Sequence, residues 1–181
     1  MSIPNFLSLF RIILVPITVI LLIDGSFFKA FAVFSMAGVT DALDGFLARI
    51  WNQKTTLGAY LDPIADKALL NSCFITLSIL GIIPGWIAVI VVSRDFIILF
   101  GISIMFMASV PFQIKPVLVS KITTAIQLIT ILLALAFKSL GGDGYPLFMQ
   151  FSFWLTAAFT TVSGFHYILR GIKAINQSYV R

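Results

Sequence analysis

Six long apolar runs leave this chain few ways to fold. A helix that crosses a bilayer needs about 20 predominantly apolar residues in succession. Runs of that kind fall at about 3–22, 28–50, 58–80, 84–107, 117–137 and 147–172. Turn chemistry separates them: Asp24-Gly25-Ser26, residues 81–85 with Pro84, and Gly141-Gly142-Asp143-Gly144-Tyr145-Pro146. Of the 181 residues, 60% are hydrophobic and only 10% charged, a balance foreign to a soluble domain. The predicted fold is all-α: a polytopic integral membrane protein with six transmembrane helices in one bundle, and residues 1–181 as a single domain with neither linker nor repeat. The N-terminus lacks a basic stretch and a small-residue cleavage site, so the first run is expected to stay in the mature protein.

An even number of spans puts both termini on one side, and the basic residues choose that side. Arg49, Lys54, Lys67, Lys115, Lys121, Arg170, Lys173 and Arg181 fall with the termini, whereas Lys29 and Lys138 fall opposite. Positive charge is retained in the cytoplasm, so both termini are expected there. The net charge of +5 suits an anionic lipid surface. It does not suit nucleic acid, because no basic run or soluble domain is present to hold one. Cys73 is the only cysteine, which excludes an internal disulfide and points to a packing role.

Against this background residues 41–66 stand out. All seven acidic residues are Asp, and four of them, Asp41, Asp44, Asp62 and Asp66, lie in this stretch. Spacings of three and four place each pair on one helix face. Two helices joined by the short turn at 51–56 would aim four carboxylates at a common point. A central Asp costs about 2.5–3.5 kcal/mol on insertion scales, and four together repel one another. One or two hard divalent cations, which take carboxylate oxygens, answer both problems. Gly45 and Ala48 leave a shallow trough beside the carboxylates, although small residues at this spacing also serve helix contacts. Arg49 offers a fork for phosphate, and Gly58 opens the third helix, where free N–H groups favour anions. These parts suit phosphoryl transfer on an activated lipid, in which a metal would steady the leaving phosphate. One carboxylate would take the proton of the attacking hydroxyl. Spacing alone does not say which.

Other polar residues inside the runs should face the bundle interior. Asn5, Ser8 and Arg11 recur every third residue, as do Lys121, Thr124 and Gln127 with Ser120 beside them. Arg94-Asp95 reads equally as an internal ion pair or as part of a site. Lys115 near a helix start reads first as a snorkelling cation, and His166, beside Ser163, as a packing residue.

Asp41-x-x-Asp44-Gly45-x-x-Ala48-Arg49, eight residues, Gly58-x-x-x-Asp62-x-x-x-Asp66 resembles the signature of the CDP-alcohol phosphatidyltransferases, with all eight fixed positions filled. The resemblance implies a six-helix membrane fold, usually dimeric, that transfers a phosphatidyl group from CDP-diacylglycerol to an acceptor hydroxyl and releases CMP. It further implies that Asp41, Asp44, Asp62 and Asp66 ligate one or two Mg²⁺ or Mn²⁺ ions, with Asp66 the general base. Gly45, Ala48, Arg49 and Gly58 would hold the CDP moiety. Ile3-Pro4-Asn5-x-Leu7-Ser8-x-x-Arg11 is similar to the first helix of both phosphatidylglycerophosphate synthases and CMP-forming cardiolipin synthases. The stretches around Arg94-Asp95, Lys115 to Gln127 and Phe159-Thr160-Thr161 look more like the second group.

The acceptor stays open between phosphatidylglycerol, which the resemblance favours, and glycerol 3-phosphate. A small dianion needs several cations in its pocket, and helix 4 has no second Arg after Arg94. Arg11, Arg94, Lys115, Ser120 and Lys121 are the candidates for an acceptor or lipid phosphate. By this reading the active site faces the cytoplasm in a bacterial-type inner membrane. Two other classes compete: a cation transporter, which would spread ionisable groups through the bilayer depth, and a noncatalytic lipid-binding protein, which would be expected to lack one of the aspartates.

Overall fold

A computed structural model describes residues 3–50, 56–107 and 118–179, with side chains at 10–40, 65–101, 103 and 118–172. Its elements are helices in the order α1 (Ile3–Ile23), α2 (Phe27–Ile50), α3 (Thr56–Ile79), α4 (Gly85–Met107), α5 (Leu118–Ser139) and α6 (Leu147–Tyr179). No strand occurs among the described residues. The apolar runs locate these helices closely, with one clear departure: α6 continues past residue 172 to Tyr179. An apolar run measures what can sit in lipid, whereas a helix can continue through polar residues that carry no stop signal. Residues 173–179 contain neither Gly nor Pro. A smaller difference concerns Gly58, which sits two residues inside α3 rather than opening it.

The chain forms two compact units, Met1–Gly85 with Ile131–Tyr145, and Trp86–Thr130 with Pro146–Arg181. In the first, α1 packs against both α2 and α3. Leu14 and Leu22 on α1, Ala30, Phe34 and Ala37 on α2, and Leu69, Cys73 and Leu77 on α3 are buried. Their spacings of three, four and eight keep them on one face of each helix. Cys73 is fully buried, as a packing residue should be.

Helices α1, α3 and α5 end in the same way. The Gly25 N–H donates to the Leu22 carbonyl and the Ser26 N–H to that of Leu21. Gly81 with Ile82, and Gly141 with Gly142, repeat this Schellman pattern. It requires a left-handed residue, and the three leading glycines have φ of 70°, 69° and 77°. The Tyr145 hydroxyl donates to the Gly81 carbonyl at 2.8 Å, tying the turn after α5 to the turn after α3. Beside it, Lys138 Nζ donates to Asp143 Oδ1 at 2.5 Å, and that hydrogen bond with the ammonium charge holds the exposed Asp143 carboxyl below its usual range.

In the second unit the buried face of α5 carries hydroxyls and an amide rather than hydrocarbon alone. Thr123 donates to the Phe159 carbonyl at 3.1 Å, Gln127 Nε2 to the Thr160 hydroxyl at 3.1 Å, and the Thr130 and Thr156 hydroxyls share a bond of 2.8 Å. All five polar side chains are buried. Thr123, Gln127 and Thr130 are spaced four and three, and Thr156, Thr160 and Ser163 repeat that spacing on α6. Two polar rows therefore meet along the helix pair. Trp86 and Trp154 pack with ring centroids 5.2 Å apart and tilted by 42°.

Apolar side chains are turned outward in both units. Ile13, Ile17 and Ile20 on α1, Phe96 and Phe100 on α4, and Phe151, Trp154, Phe165 and Leu169 on α6 are exposed. Arg11, Arg94, Asp95 and Gln127 are buried. Among the described residues, α5 is the one helix both long and apolar enough by itself to cross a membrane, with shorter apolar segments at Phe10–Ile23 and Phe27–Thr40.

Candidate active site

The signature residues fall on two helices. Asp41, Asp44, Gly45, Ala48 and Arg49 lie along the last turns of α2, and Gly58, Asp62 and Asp66 along the first half of α3. The side chains of the first seven are outside the described residues, and so is all of Lys115. Asp66 is the signature residue whose side chain is described. It is ion-paired to Arg11, with Arg11 Nη1 donating to Asp66 Oδ1.

This contact joins α1 to α3 across their packed faces. Its two ends are unequal: 2% of the Arg11 side chain is exposed, against 32% of Asp66. The guanidinium is thus the covered partner, and the carboxylate the more accessible one. As a donor, the carboxylate is the hard oxygen type that Mg²⁺ and Mn²⁺ take, so Asp66 fits such an ion. No cluster of three metal-ligating side chains occurs among the described residues, which contain one of the four aspartate side chains.

A second polar centre lies in the other unit. Arg94 on α4 is 3% exposed, and so is Asp95. Arg94 Nη1 donates to Asp95 Oδ1 at 2.7 Å, and Nη2 donates to the Ser120 hydroxyl at 2.6 Å and the Ser163 hydroxyl at 2.8 Å. The Tyr167 ring centroid lies 5.8 Å from the guanidinium carbon, within cation–π range. Both terminal nitrogens of the fork therefore serve protein acceptors. Arg94 binds α4, α5 and α6 together, and the adjacent Arg–Asp pair is the internal ion pair that one reading of the sequence anticipated. Arg94 Nε is buried without a hydrogen-bond partner among the described residues, as is His166 Nε2 on half-buried His166.

Lys121 is exposed on α5, while Gln127 is fully buried and Thr124 half-buried, donating to the Ser120 carbonyl at 3.1 Å. The stripe expected at Lys121, Thr124 and Gln127 is therefore not a single face. At about 3.6 residues per turn, steps of three drift around the helix, and two such steps carry a side chain about a third of a turn away. The enclosed row follows alternating steps of three and four, from half-buried Ser120 to buried Thr123, Gln127 and Thr130. Ser163 was the missing member of the Arg94 cluster, and its signal was legible in the matching row Thr156, Thr160, Ser163.

The chain matches a family model described as CDP-alcohol phosphatidyltransferase over residues 1–162. It belongs to that family. Among CDP-alcohol phosphatidyltransferases it is similar to the "Cardiolipin synthase (CMP-forming)" of Rattus norvegicus, with 34% identity over 190 residues, 96% of this chain and 63% of that one. The human protein of the same name is 33% identical over the same shares. A "Probable phosphatidylglycerophosphate synthase" of Mycobacterium tuberculosis is 32% identical over 183 residues, 96% of this chain and 83% of that relative. The chain spans 63% of the length of the two cardiolipin synthases.

Proposed function

We propose that this family member transfers a phosphatidyl group from CDP-diacylglycerol to phosphatidylglycerol, forming cardiolipin and CMP. The observation that carries the reading is the complete eight-position signature, Asp41 to Asp66, inside a family match over residues 1–162. Identity with relatives named as CMP-forming cardiolipin synthases supports the acceptor.

In this reading the acceptor's hydroxyl oxygen attacks the phosphorus that carries the diacylglycerol. The bond from that phosphorus to the oxygen bridging to cytidylate breaks, CMP leaves with the electron pair, and Asp66 takes the hydroxyl proton. Asp41, Asp44, Asp62 and Asp66 would hold one or two Mg²⁺ or Mn²⁺ ions, which supply charge neutralisation on the pyrophosphate. Gly45 and Ala48 admit the cytidylate to the helix backbone, Arg49 grips its phosphate, and the first turn of α3 at Gly58 favours the same anion. Lys121 and Lys115 attract the acceptor's phosphate.

All six helices are assigned to the membrane, with the aspartates and both termini on the cytoplasmic face of a bacterial-type inner membrane, in a homodimer. Supporting the membrane placement is the inverted distribution of side chains. Phenylalanines and leucines point outward while an arginine, an aspartate and a row of hydroxyls are enclosed and hydrogen-bonded, as a lipid solvent demands. The excess of Lys and Arg near the aspartates supports the sidedness.

The test uses purified protein in detergent with CDP-diacylglycerol and Mg²⁺ or Mn²⁺, given phosphatidylglycerol or glycerol 3-phosphate in separate reactions. CMP release is followed and the lipid product identified by mass. Cardiolipin from phosphatidylglycerol alone supports the reading. Phosphatidylglycerophosphate from glycerol 3-phosphate supports the second reading, which the likeness to the Mycobacterium tuberculosis relative favours. CMP release with neither acceptor, nor above a protein-free control, would remove both.

A further inference from the structure

We infer that Arg11 is a positioning residue for Asp66, holding that carboxylate for the metal and the acceptor, rather than a ligand of the acceptor's phosphate. The inference rests on the proposed reading of Asp66 as metal ligand and base.

Three observations lead there. Arg11 Nη1 donates to Asp66 Oδ1, so a terminal nitrogen of the guanidinium is committed to protein. The guanidinium is covered, at 2% exposure, whereas the carboxylate is 32% exposed, so an incoming phosphate meets Asp66 before Arg11. The contact also spans α1 and α3, two helices packed along their faces. The geometry is therefore built into the core of the unit and not left to two flexible side chains. A buried guanidinium needs a counter-charge, because removing it from water costs several kcal/mol. The same requirement makes Asp66 hold one orientation. Arg suits this role better than Lys, since its planar fork restricts where the carboxylate oxygens lie. An acceptor phosphate at Arg11 would have to enter the α1–α3 interface and displace a carboxylate that the reaction needs.

Groups that orient a metal ligand tune the metal without touching it. Their loss typically costs about 10- to 100-fold in metal affinity or activity. The experiment titrates Mn²⁺ into detergent-purified, metal-free protein with no lipid substrate, reading free Mn²⁺ by electron paramagnetic resonance. Wild type, Arg11→Met, Arg11→Lys and Asp66→Asn are compared. Steady-state kinetics of the same preparations give KM for each substrate and kcat, and size exclusion shows that each variant is folded. Arg11→Met is expected to weaken Mn²⁺ binding about tenfold, lower kcat and leave the acceptor's KM unchanged. Arg11→Lys should recover part of both losses, and it keeps the test open if the Met variant does not fold. In the Asp66→Asn background, Arg11→Met should no longer alter Mn²⁺ affinity. Unchanged Mn²⁺ affinity in Arg11→Met and Arg11→Lys, with a raised acceptor KM, would overturn the inference and return Arg11 to the acceptor's phosphate. Failure of the underlying reading looks different: Asp66→Asn itself would bind Mn²⁺ and turn over like wild type.

Discussion

Arg94 Nη2 donates to the Ser163 hydroxyl at 2.8 Å, across 69 residues of chain, inside a cluster that also holds Asp95 and Ser120. The guanidinium is thereby a tie between α4, α5 and α6, and its charge is balanced locally by Asp95. Arg94→Met would leave the buried Asp95 carboxylate without this cation, and breaking a buried pair from one side costs about 3–5 kcal/mol. Ser163→Ala removes one acceptor while Ser120 still serves the same nitrogen, so about 1 kcal/mol is expected. Reversible unfolding in mixed micelles measures both. Equal losses for the two variants would show that Arg94 does not organise the cluster.

The Thr130 and Thr156 hydroxyls hydrogen-bond each other at 2.8 Å while buried. Thr130→Val keeps the shape but leaves the Thr156 hydroxyl facing a methyl group, costing about 1 kcal/mol. Thr130→Val with Thr156→Val removes both polar groups and should recover part of that loss. A double-mutant cycle of unfolding free energies reads the coupling, and strict additivity would count against the pair as a stabilising contact.

Gly81 adopts φ +69° where α3 ends, and a Cβ added there meets nothing within 4 Å. Gly81→Ala therefore tests backbone strain free of crowding. The left-handed conformation costs a non-glycine residue about 1–2 kcal/mol, seen as a lowered thermal midpoint with activity retained below the transition. An unchanged midpoint would mean that the turn relaxes at no cost.

Asp66→Asn should lower turnover by about 100-fold or more, the scale of general acid–base catalysis, while binding of CDP-diacylglycerol is largely kept. The check is kcat beside direct binding of the labelled liponucleotide. Near-normal turnover would remove Asp66 from the base role.

Chelation by EDTA should abolish CMP release, and Mg²⁺ or Mn²⁺ added in excess should restore it, since carboxylate sites suit hard cations. Monitoring CMP through a full cycle of removal and return checks this. Activity that persists in excess chelator would refute a metal-dependent transfer.

The helices and the residue types of the site were legible in the sequence to different depths. Apolar runs and turn glycines located α1 to α5 closely, because span length and the left-handed glycine are local requirements. The end of α6 at Tyr179 was not legible, since hydropathy falls at residue 172 without any residue that breaks a helix. On α5 a step of three relates Lys121, Thr124 and Gln127 in the sequence, whereas the buried face steps by three and four. Lys121 therefore lies off the face that Gln127 occupies.

What the sequence determined by itself was chemistry at fixed spacing: six helical segments, and a family signature whose carboxylates recur at helical intervals. Both depend on residues within a few turns of one another, where backbone geometry alone relates them. Pairing was decided only in three dimensions. Arg11 and Asp66 are 55 residues apart, and Arg94 and Ser163 are 69 apart. No local rule relates such positions. Each buried cation met the acceptor that helix packing brought to it, because a charge enclosed among apolar side chains must be balanced where it stands.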